Sequence, residues 1–71
     1  MQSRVAIMAI IVENTQAATP INALLHEYGR YIIGRMGLPY ARRNISLISV
    51  AIDAPQDVIS ALTGKIGNIP Q

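Results

Sequence analysis

Residues 26–53 read HEYGRYIIGRMGLPYARRNISLISVAID, and the parsing of this stretch decides the fold. A helix ends at its beginning, a short strand (31–36) runs out, the chain turns over 37–44, and a longer apolar strand (45–52) returns. Alternation in the first strand places Ile32, Gly34 and Met36 on one face and Tyr31, Ile33 and Arg35 on the other. In the returning strand Ile48, Val50 and Ile52 form one apolar face, and Ile45, Leu47, Ser49 and Ala51 a milder second one. Pro39 stiffens the connection, and Arg42 and Arg43 sit at its exposed tip.

Working outward toward the start of the chain, Thr19-Pro20 predicts a helix beginning, with Thr19 as N-cap and Pro20 at the first helical position. Ile21, Leu24, Leu25 and Tyr28 repeat at helical spacing, and Gly29 is expected to close the helix in a left-handed conformation. Residues 4–12 alternate Val5, Ile7, Ala9 and Ile11 against Ala6, Met8, Ile10 and Val12. Both sets are apolar, as in a strand covered on two sides. Glu13 and Asn14 stop this strand, and 15–18 form a loose connection. Toward the other end, Asp53 and Gln56 have capping-box spacing for a second helix. Val58, Ile59, Leu62 and Ile66 give its buried stripe, Lys65 faces the negative end of its dipole, and Gly67 closes it.

The order is strand, helix, strand, strand, helix, five of the six elements of an α+β ferredoxin-like βαββαβ sandwich. The expected architecture is one antiparallel sheet with both helices on one face. The last strand of that pattern is missing, which leaves one edge of the first strand bare.

Composition sharpens this. Seventy-one residues are expected to form a single domain. A chain this short buries only about 60% of its unfolded surface and is marginal alone. There is no cysteine and one histidine, so neither disulfides nor a dedicated metal centre can help, and no cofactor is expected. Oligomerisation is the remaining aid. Hydrophobic residues make up 51% of the chain and charged ones 14%, more grease than two helices can cover. Six Lys/Arg against four Asp/Glu are not clustered as a nucleic-acid footprint. The longest apolar run, residues 5–12, is far short of the roughly 20 residues of a membrane span. Its β-branched residues suit a buried strand better than a secretory signal core.

The segments IVEN (11–14), LLHEYG (24–29), YIIGRMGLPY (31–40) and DAPQDVISALTGKIG (53–67) resemble the family of iron-only hydrogenase system regulators. These are small ferredoxin-like proteins, similar to ACT domains and to the C-terminal domain of the nickel-responsive repressor. The likeness spans nearly the whole chain. It implies a cytoplasmic homo-oligomer, a dimer or tetramer, named for hydrogenase genes rather than for a proven activity. Family members continue past the proline with a glycine and a final strand, whereas this sequence stops at Gln71. Nothing here resembles the repressor's DNA-binding arm, so direct nucleic-acid binding is not expected.

In ACT-like domains the loop after the first strand helps form an effector site between subunits. The resemblance therefore points to Glu13 and Asn14 as neighbours of a small-molecule pocket, the alternative being an ordinary turn. Arg35, inside a strand, can grip a carboxylate or phosphate bidentately or join an intersubunit ion pair. Gly34 and Gly37 match no nucleotide-binding spacing and mark close backbone approach, which a ligand could use. His26 and Glu27 lack partners and suit a helix end. The carboxylates Glu13, Glu27, Asp53 and Asp57 are scattered, which speaks against an enzyme. The reading is a non-enzymatic regulatory module that oligomerises through its sheet and takes a small effector between subunits. The alternative is a ligand-free assembly subunit that works by edge pairing with another protein.

Overall fold

A computed structural model describes residues 2–70. It contains three strands, β1 (Ser3–Val12), β2 (Ile32–Tyr40) and β3 (Ile45–Pro55), and two helices, α1 (Ala18–Glu27) and α2 (Gln56–Gly67). The strands form one antiparallel sheet in the order β1-β3-β2. Both helices contribute to a core built on a single sheet face. This is the ferredoxin-like α+β arrangement without its fourth strand, as the element order predicts.

The register assigns the faces, because residues directly opposite one another share a side. Ile48, Val50, Ile52 and Ala54 of β3 lie opposite Ile10, Met8, Ala6 and Arg4 of β1. The apolar members of this set face the helices. Ile10, Val12, Ile48, Val50, Ile52 and Ala54 are buried there against Ile21 and Leu25 of α1 and Leu62 and Ile66 of α2. Leu24, Tyr28, Val58 and Ile59 pack on the margin of this core, in line with the two expected helical stripes.

The other face is bare. Val5, Ile7 and Ile11 of β1 and Met36, Leu38 and Tyr40 of β2 project from it, with Ile7 76% and Met36 64% exposed. Between these two rows β3 carries the small Ser49 and Ala51, and Leu47 between Ile11 and Leu38.

Several local expectations are corrected. α1 does not start at a Thr19 cap. A 3-10 turn, Thr15–Ala17, runs straight into it, and the capping side chain is Asn14, whose Oδ1 accepts from the Gln16 N–H at 2.9 Å. Pro20 still falls in the first turn, where a missing N–H costs nothing. Gly29 is not left-handed; it opens a second 3-10 turn, Gly29–Tyr31. The described residue with positive φ is Asn44 (54°), which lets the chain reverse into β3 after the turn Ala41–Arg43. Arg42 and Arg43 are exposed on that turn, as expected. β2 runs to Tyr40 rather than Met36, because it is an edge strand and tolerates Pro39. Asp53 does not cap α2. It lies within β3 opposite Val5, while α2 begins after Pro55 with no side-chain cap. Gly67 closes α2 as its last residue, as read.

The most consequential correction is in β2. Ile32 pairs with Ile52 but Gly34 pairs with Ala51, leaving Ile33 as an extra, bulged residue. A bulge breaks simple alternation. Ile32 therefore turns to the helix side with Arg35, whereas Gly34 and Met36 stay on the bare face.

Candidate functional site

The bulge aims Arg35 at α1. Arg35 pairs with Val50 in the sheet, so its side chain rises on the helix side, where its Nη2 donates to Asn22 Oδ1. Ala18 and Asn22 are one helical turn apart and share the flank of α1 that overlooks β2. Because Ala18 is small, a cleft remains between that flank and the strand.

Two adjoining cavities occupy this cleft. One, of about 370 Å³, is lined by Arg35, Gly37, Leu38 and Pro39 of β2, Ala18 and Asn22 of α1, and Val12, Ser46 and Ile48 beneath. The second, of about 290 Å³, continues toward the end of the sheet past Thr15, Tyr40, Ala41, Asn44 and Ile45. Val12, Ala18, Pro39 and Ser46 line both.

Gly37 lies opposite Ile48, on the cleft side. A Cβ placed there would meet nothing within 4 Å. The close backbone approach expected at this glycine is therefore not made by the chain's own atoms. The space above it belongs to the cavity.

The predicted site residues part company here. Arg35 and Gly37 come together in the cleft. Gly34 points to the opposite, bare face, again with open space around it. Asn14 is spent on the turn before α1, and Glu13 is exposed beside it without lining either cavity. Asn22, Ser46 and Ala18 complete the site without having drawn attention in the sequence. Asn22 sits beside the apolar stripe of α1, and nothing in the pattern pairs it with a residue thirteen positions away.

The electrostatics are simple. Arg35 is the one charged side chain lining the cavities. Among the described residues it has no carboxylate partner; the ion pair seen is Lys65–Glu27 at 3.9 Å, between the ends of the two helices. There Lys65 lies 5.1 Å from the Tyr28 ring centroid. The neighbouring Tyr28 hydroxyl, and to a smaller extent Glu27, hold the Lys65 ammonium above its ordinary pKa. The cleft itself offers one guanidinium, amides from Asn22 and Asn44, and hydroxyls from Thr15 and Ser46. It holds no carboxylate or imidazole to serve as a base. No group of three metal-ligating side chains occurs among the described residues. Nor is any helix there long and apolar enough to cross a membrane.

A family model described as "TM1266-like: Iron-only hydrogenase system regulator, putative" matches residues 4–71. The chain belongs to the TM1266-like family. Its fold is also that of a solved structure, the uncharacterized protein TM1266 from Thermotoga maritima. The two share 33% identity with a TM-score of 0.91, over 96% of this chain and 86% of that one. No curated protein matches.

Proposed function

We propose that this TM1266-like protein is a non-enzymatic regulatory module that assembles with copies of itself through the bare sheet face and takes a small effector in the cleft beside it. The observation that carries the proposal is the row of exposed apolar side chains on that face: Val5, Ile7, Ile11, Met36, Leu38 and Tyr40. A contiguous apolar patch of this kind marks an interaction surface. A second copy suits it because the relief is self-complementary. The middle of the face is floored by the small Ser49 and Ala51, with Leu47 closing one end, so a large side chain of one sheet, such as Ile7 or Met36, can enter the hollow of another. Asp53 at one end is the face's charged residue, so two such faces meet with little charge to desolvate. Leu38 and Tyr40 belong both to this face and to the cavity walls, which supports an effector site at the border between subunits. The family description supports a regulatory role in the iron-only hydrogenase system. A cytoplasmic setting is part of the same reading.

The test is the native mass. Wild-type protein is expected as a dimer or tetramer at micromolar concentration, and Ile7→Glu as a folded monomer. A wild-type monomer at that concentration overturns the proposal.

A further inference from the structure

We infer that the cleft is a site for a small carboxylate with an apolar body, held by Arg35. The inference rests on the effector reading above and names the ligand's chemistry. Charge gives the first half. A guanidinium carries five N–H donors in a fork that matches a planar carboxylate. Asn22 takes one of them, and no acidic residue lines the cavities to take the rest. The Asn22 contact holds the side chain against α1, so the fork is set before a ligand arrives. The walls give the second half. Val12, Ala18, Pro39 and Ile48 offer hydrocarbon, while Ser46 adds a single hydroxyl near the floor. Phosphate sites gather several cations or a run of backbone N–H groups. One guanidinium among apolar walls fits a singly charged head attached to a hydrophobic body. Gly37 supplies the room: it stands in the strand where any side chain would project into the cavity.

The experiment is a titration of isotopically labelled wild-type protein, followed by amide NMR shifts, with a panel of linear and aromatic monocarboxylates. Their neutral primary amides and inorganic phosphate are the comparison probes. At least one carboxylate should give saturable shifts at Ala18, Asn22, Gly37 and Ser46. Its amide should bind about tenfold more weakly or worse, the loss expected for a missing charge-assisted pair. Arg35→Gln should reproduce that loss with the fold intact by circular dichroism. Arg35→Lys, which keeps charge without the fork, should fall between. Gly37→Val should weaken binding by pushing a branched side chain into the cavity beside Arg35.

Equal binding of acid and amide, tighter binding of phosphate, shifts confined to the bare face, or no saturable shift with any carboxylate overturns the assignment. Because Arg35 and Gly37 lie on the helix side, these variants leave the sheet-face assembly in place. An oligomer that binds no carboxylate sinks this inference alone, whereas a monomer that binds one sinks only the assembly reading.

Discussion

Ile52 and Ile7 are the same residue type in neighbouring strands, and the sheet gives them opposite tasks. Ile52 is fully buried between Ala6 and Ile32 beneath the helices. Ile7 stands on the other side in the open. Truncating Ile52 to alanine removes well-packed atoms and leaves a cavity, at a cost of about 2–5 kcal/mol. That is a large share of the roughly 5–15 kcal/mol holding a small domain together, so urea titration of Ile52→Ala should show a greatly lowered midpoint or no native baseline. Truncating Ile7 should leave the unfolding of a dilute monomer nearly unchanged, within about 0.5 kcal/mol, and should register in assembly instead. Comparing the two midpoints checks the assignment of faces residue by residue.

At the scale of elements, periodicity made most of the fold legible. β1 and β3 alternate as read, and Ile21, Leu25, Leu62 and Ile66 bury the helices where their spacing puts them. What escaped was decided by pairing rather than by local pattern. The bulge at Ile33 arises from the match between β2 and β3, and no single-strand alternation announces it. The same holds for Asp53, a good cap in isolation that β1 recruits into the ladder. The cleft was half legible. Arg35 stood out as a charge inside a strand and Gly37 as a gap just past its expected end, while Asn22 enters only when α1 crosses β2.

Two predictions belong to the elements. Asn14 caps the turn that feeds α1, so Asn14→Ala should lower stability by about 1 kcal/mol, read from chemical denaturation. Lys65 ties the end of α2 to Tyr28 at the end of α1. Its pKa is raised in the folded protein from an ordinary 10.5. Its contribution is therefore complete below that value and fades as pH climbs through the raised one. Lys65→Met should flatten this alkaline decline in a pH series of thermal melts while leaving the neutral-pH fold intact.

For the whole molecule, the proposed assembly makes stability a function of concentration. Partners that bind only the native form stabilise it by mass action. The melting temperature of the wild type should fall steadily on dilution, and that of Ile7→Glu should stay constant. High salt should not reverse the trend, because the face meets its copy through apolar side chains rather than ion pairs.

Leu38 and Tyr40 project from the bare face, and as residues of β2 they also border the two cavities. If association on one side of β2 and occupancy on the other both bear on these two residues, neither equilibrium is independent of the other. If a carboxylate strengthens self-association by some factor, the associated form must hold that carboxylate more tightly by the same factor. A module this small would then need no hinge and no second domain to report a metabolite: a head count of its own copies would carry the message.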